Sequence, residues 1–110
     1  MKKLILPTIL LLIISCSTGA SHSENNTLVQ DIENLIKFGF IGKIDLETNK
    51  VWVMPEFWSS LTVETQKIFT SNLAEYMHLK SNEKSRSVYV YDYHTDMLLS
   101  QEDISGYILY

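Results

Sequence analysis

Asp92, His94 and Asp96 stand at alternate positions near the end of the chain. A strand running through all three would put two carboxylates and an imidazole on one face, a donor set that binds divalent cations. The same stretch, His94-Thr95-Asp96, has turn chemistry, and a turn breaks the shared face. No other histidine lies near it in sequence. A structural turn is therefore the reading adopted, and no resident metal is expected. Nucleophilic catalysis has less to work with. No serine sits in a Gly-x-Ser-x-Gly elbow, and no glycine-rich loop is present to cradle phosphate. A non-catalytic protein is expected.

The stretch just before that turn has a different chemistry. Ser87-Val88-Tyr89-Val90-Tyr91-Asp92-Tyr93 alternates strictly. Period two places Val88 and Val90 on one face of a strand and Tyr89, Tyr91 and Tyr93 on the other. A tyrosine carries a rigid apolar ring with a polar tip, which suits it to interfaces. The competing reading is an ordinary half-exposed strand, since tyrosine is also a good strand former. Both readings require the valines to face a core.

At 110 residues the chain is about one small domain, and 45% hydrophobic with 20% charged residues it fits a globular protein rather than a disordered tail. Its formal charge of −4 argues against nucleic acid, whose phosphates need a basic face. A single cysteine, Cys16, forms neither an intramolecular disulfide nor a cysteine-rich zinc site. Its neighbours suggest another use. Met1-Lys2-Lys3 is positive, and Leu4 to Ile14 is eleven residues, all apolar except Pro7 and Thr8. A membrane-spanning helix needs about 20 apolar residues, so this run is an export signal rather than a span.

Ile13-Ile14-Ser15-Cys16 at the end of that signal resembles the lipobox of bacterial lipoproteins: aliphatic, small or aliphatic, small, then cysteine. Ile13 departs from the more usual leucine. The resemblance covers about the first sixteen residues, and it implies cleavage between Ser15 and Cys16. It further implies a diacylglyceryl thioether on Cys16 and, in many bacteria, an acyl chain on the new amino group. Beyond this covalent lipid, no cofactor is expected. Residues 1–15 are then a cleaved signal, and loss of Lys2 and Lys3 takes the formal charge from −4 to −6. No basic patch holds such a protein to an anionic bilayer, so the lipid must. At about 0.8 kcal/mol per buried CH₂, two or more chains make a stable anchor.

Residues 16–26 follow as a lipidated tether: Ser17 to Asn26 contains no large apolar residue. Ten residues of this kind reach about 17–19 Å by flexible-chain scaling. His22 falls here and reads as a solvated linker histidine. The folded domain is residues 27–110. Thr27-Leu28-Val29-Gln30 matches a capping box, and Leu28, Ile32, Leu35 and Ile36 make one helical stripe, which predicts a helix over 28–38 stopped by Gly39. Ile44 and Leu46 alternate with charged residues, Glu47 to Lys50 is a turn, and Val51 to Met54 is β-rich: a hairpin ended by Pro55. Phe57 and Trp58 are expected in the core, on a short turn.

Thr62 to Lys80 is the longest helical pattern, capped by Thr62, with Phe69, Leu73, Tyr76 and Met77 as its buried stripe and Ile68 at the margin. Ser81 to Ser87 is a polar loop. The tyrosine strand, a return over Met97 to Ser100 and a further strand over Tyr107 to Tyr110 complete an order α-ββ-α-ββ(β). The expected class is α+β, a small antiparallel sheet with helices packed on one face.

The functional expectation is a membrane-anchored envelope lipoprotein acting as a small binding or structural module, with a protein partner in the envelope and no nucleic acid. An exclusion- or immunity-type lipoprotein of a mobile element, masking an envelope receptor, is the alternative. A small metal-binding protein or enzyme using Asp92 and His94 is a third. In Gram-negative hosts, lipoproteins of this kind with aspartate after the cysteine stay in the inner membrane. Here that residue is Ser17, which implies the outer membrane, on its periplasmic or surface face.

Overall fold

In the computed structural model, which describes residues 22–81 and 86–110, two alternating segments form the centre of a five-stranded sheet. Along the chain the elements are α1 (His22–Lys37), β1 (Ile41–Asp45), β2 (Lys50–Val53), α2 (Pro55–Ser60), α3 (Val63–Ser81), β3 (Val88–Asp92), β4 (Leu98–Asp103) and β5 (Gly106–Leu109). Strands lie in the order β1-β2-β3-β4-β5. The α+β class, the element order and the one-sided helix packing are as the sequence predicts. Cleavage at Ser15, lipidation at Cys16 and the first part of the tether lie outside the described residues.

Three of the four strand pairs are antiparallel, but β2 and β3 at the centre run parallel. The connection between them explains the difference. Two adjacent strands joined by a tight turn must be antiparallel, whereas β2 and β3 are joined through α2 and α3. A helical crossover of that length returns the chain to the end where it started and sets the next strand parallel. Two antiparallel units are thereby fused through one β-α-β crossover.

α1 continues back through the Thr27–Gln30 box to His22, so Thr27 lies inside the helix and not at its cap. The polar residue types before Thr27 are acceptable in first helical turns, and nothing stops the helix there. Three residues of its expected apolar stripe, Leu28, Ile32 and Leu35, are buried, whereas the fourth, Ile36, is 38% exposed. At the other end Gly39 adopts φ +85°. Its amide donates to the Ile36 carbonyl at 3.1 Å and the Phe40 amide to the Leu35 carbonyl at 2.9 Å. Those two bonds satisfy carbonyls that would otherwise lack partners at the helix end.

The Pro55–Ser60 segment is a short helix rather than a turn, with proline in its first turn where a missing amide costs nothing. It carries Phe57 and Trp58 into the core, where the Phe57 ring lies 5.1 Å from Phe40 and 5.4 Å from Phe69. Thr62 caps α3 by accepting the Thr65 amide at 3.1 Å. Phe69, Leu73, Tyr76 and Met77 of α3 are buried in one core with Val51, Val53, Val88 and Val90, all four valines fully enclosed. Arg86 ties this helix to the sheet, donating to Glu75 and the Ser71 carbonyl of α3 and to Glu102 of β4. Every helix that packs on the sheet covers the valine face. Among the described residues no helix covers the opposite face.

Candidate binding face

Each residue on the open face follows from the same alternation. On β2, Val51 and Val53 point inward, so Lys50 and Trp52 point out; on β3, Val88 and Val90 point inward, so Tyr89 and Tyr91 point out. The parallel register pairs Lys50 with Tyr89 and Trp52 with Tyr91. On β1, Lys43 is opposite Trp52 and Asp45 opposite Lys50. On the far side, Tyr89 is opposite Gln101 of β4 and Gln101 opposite Ile108 of β5. Tyr110 closes the row, its hydroxyl donating to Gln101 Oε1 at 2.6 Å.

At the centre the Trp52 and Tyr91 rings stack, with centroids 5.5 Å apart and planes 23° off parallel. Lys43 Nζ lies 4.8 Å from the Trp52 ring centroid and Lys50 Nζ 5.5 Å from that of Tyr91. Cations over aromatic faces are attracted by the ring quadrupole. The indole Nε1 donates to Asp96 Oδ1 at 2.7 Å, which fixes the ring in its plane. Trp52 is thus held on every side: Lys43 from β1, Tyr91 from β3, Asp96 at its nitrogen. The arrangement presents rigid rings, hydroxyls and two ammonium groups on one face.

Tyr93 extends the row past the end of β3. Its amide donates to the Val53 carbonyl at 2.8 Å, and 46% of the residue is exposed. The ring lies over Gly42 of β1, where an added Cβ would sit 2.4 Å from Tyr93 Cδ1. Glycine at position 42 is what lets the ring lie there. Tyr89, Tyr91 and Tyr93 therefore share one face, away from the buried Val88 and Val90.

Asp92, His94 and Asp96 are not brought to a common point. Asp92 Oδ1 accepts the His94 amide at 2.7 Å and the Thr95 amide at 3.0 Å, closing the turn the sequence predicts. The Thr95 amide holds the Asp92 carboxyl below the usual carboxylate range; burial opposes it, and the His94 amide adds a smaller lowering. Asp96 turns to Trp52, and the His94 ring meets Tyr93 edge-on at 5.9 Å. Among the described residues no group of three His, Cys, Asp or Glu side chains is placed to hold a metal ion. None of the described helices is long and apolar enough to cross a membrane.

Sequence reasoning finds the tyrosines and misses Trp52, Lys43, Lys50, Ile108 and Tyr110. For Trp52 the signal is present, because Val51-Trp52-Val53 repeats the pattern of Val88-Tyr89-Val90. What no local pattern reveals is that these two segments pair side by side. Comparison with known protein families, curated proteins and solved structures finds no match to this chain, so the geometry of this face carries the functional reading.

Proposed function

We propose that this chain is a lipid-anchored lipoprotein of the bacterial envelope whose domain is a non-catalytic binding module, with an envelope protein seated on the open sheet face. The observation that carries the reading is the Trp52–Tyr91 stack, flanked by Lys43 and Lys50, on the face the helices leave uncovered. Rings already fixed in place lose little side-chain entropy on binding, and aromatic anchors supply most of the energy of typical interfaces. The strand order places Lys43 and Tyr91 on opposite sides of Trp52, so its ring faces are spent within the domain. That favours protein side chains and backbone acceptors over a flat sugar ring, which needs a free aromatic face.

The anchor reading rests on Cys16 at the end of an export signal. Diacylglyceryl on its sulfur and an acyl chain on its nitrogen hold an acidic domain at the bilayer without a basic patch. Ser17 favours the outer membrane where the host has two membranes.

Two variants of the full chain, expressed in its host, test the two halves of the proposal. Cys16→Ser keeps size and polarity but lacks the thiolate that accepts lipid. It should accumulate as uncleaved precursor without labelled palmitate, and normal processing with normal labelling refutes the anchor. Tyr91→Ala should fold and reach the membrane, yet crosslink to the partner of the parent chain with about thirtyfold lower affinity, the effect of losing about 2 kcal/mol at an interface aromatic. Equal capture by both chains refutes the binding face.

A further inference from the structure

The sheet has two outer strands, β1 and β5, and they are built differently. β1 carries Lys43, has a register shift between Ile41 and Lys43, and lies under the Tyr93 ring at Gly42. A charge, a bulge and a covering ring all keep another strand from adding to an edge. β5 has none of these devices. It reads Gly106-Tyr107-Ile108-Leu109, followed by Tyr110, uncharged, without proline and with an unbroken register to β4. Ile108 is 44% exposed and Tyr110 63%.

The ladder to β4 sets which backbone groups of this edge point outward. The Tyr110 amide donates to the Leu99 carbonyl at 3.0 Å. Alternation along an antiparallel ladder then turns the groups of Ile108 toward β4 as well, and it leaves the amides and carbonyls of Tyr107 and Leu109 facing outward.

We propose that β5 is a self-pairing edge, on which a second copy of this chain adds its own β5 antiparallel and joins two sheets into one of ten strands. The strand is complementary to itself in the register centred on Ile108. Tyr107 then lies opposite Leu109 of the second copy, and Leu109 opposite its Tyr107, so the outward groups of both strands meet in four backbone hydrogen bonds. Ile108 meets its own copy at a non-hydrogen-bonded position, where Cα atoms approach to about 4.5 Å. Tyr110 falls opposite Gly106 of the second copy, which has no side chain to meet it, while the Tyr110 ring stays over β4 with its hydroxyl on Gln101. No charge opposes a like charge along the pair.

The two-fold axis of such a pair is normal to the sheet. Both Trp52–Tyr91 stacks then face the same way, and all the helices lie on the other side. A strand this short covers less than the roughly 800 Å² per partner of a stable complex. Pairing is therefore weak in free solution and is driven by confinement to one membrane, which raises the effective concentration. In this respect it rests on the lipid anchor proposed above.

Site-specific disulfide trapping in membranes of cells expressing the full chain tests the register. The parent chain, whose only cysteine is Cys16, sets the background. On mild oxidation Ile108→Cys should move most of the chain to a band of twice the mass. Tyr110→Cys should not, because its copy lies about 14 Å away along the pair, beyond the reach of a disulfide. Gln101→Cys, one strand in from the edge on the same face, should also stay monomeric. Palmitate labelling of the same samples separates the two proposals. Crosslinking at Ile108→Cys without label sinks the anchor and keeps the edge. Label without crosslinking at Ile108→Cys sinks the edge, and so does crosslinking at Gln101→Cys or Tyr110→Cys equal to that at Ile108→Cys.

Discussion

Trp52 donates its indole proton to Asp96 across 2.7 Å, fastening the turn after β3 to strand β2 on the open face. Asp96 sits at φ +61°, a conformation that aspartate and asparagine tolerate better than alanine. Asp96→Ala therefore loses both an acceptor and a compatible backbone, and it should lower stability by about 1–2 kcal/mol. Asp96→Asn keeps both and should stay within about 0.5 kcal/mol, as neutral surface changes do. Urea denaturation of the two variants checks this. Equal losses would show that the carboxylate charge, and not the hydrogen bond, holds the turn.

Two neighbours on β3 should respond in opposite ways. Val90 is fully enclosed, whereas Tyr91 lies on the open face. Val90→Ala should cost about 1–3 kcal/mol through lost burial and a residual cavity. Tyr91→Ala should cost no more than about 1 kcal/mol, the usual range for a partly exposed site. Denaturant melts that rank them the other way would place the tyrosines in the core.

The parts of this site legible in the sequence are those encoded within one strand. Val88-Tyr89-Val90-Tyr91 is readable because period two marks a sheet with one covered face. Thr62 and Gly39 are readable because each acts on helix ends a few residues away. The stack of Trp52 on Tyr91 depends on a pairing between segments separated by two helices, and neither segment carries a trace of it. The parallel sense of β2 and β3 was hidden for the same reason: it follows from the whole crossover, not from the residues in either strand. The role of Asp96 was likewise hidden, since its partner lies on β2. Local chemistry places Asp96 in a turn, whereas its side chain reaches Trp52 only because β2 lies beside β3.

A buried polar contact between α3 and β4 makes a third test. Thr70 Oγ1 and Ser100 Oγ are 2.8 Å apart, both residues fully buried. Thr70 also donates to the Gln66 carbonyl at 2.7 Å, which uses its one proton, so Ser100 is the donor of the pair. Thr70→Val removes the acceptor and strands the serine proton, at a cost of about 1–3 kcal/mol. Ser100→Ala leaves Thr70 still bonded to Gln66 and should cost less. The double variant should recover part of the loss, because no donor is then stranded. Strict additivity in thermal or denaturant melts would show that the two hydroxyls do not depend on each other.

The last test uses pH. Tyr76 is buried between α3 and α1, its hydroxyl 3.4 Å from Glu33 Oε2. Burial first, then the Glu33 charge, pushes its pKa from an ordinary 10.0 up to about 12. In the unfolded chain the phenol ionises near its ordinary value; in the folded chain it keeps its proton for a further interval. Between those two values the unfolded state binds fewer protons, so stability falls as pH rises. The contribution is whole below pH 10 and is lost progressively toward 12. Burial also raises Tyr107, which adds to the same alkaline loss. Tyr76→Phe has no proton to lose, and its hydrogen-bond loss is the same at every pH up to 10. The parent chain should therefore lose stability faster than Tyr76→Phe in urea melts between about pH 9 and 11.5. Parallel curves for the two proteins would mean that Tyr76 ionises alike in both states and that the α1–α3 contact does not shield it.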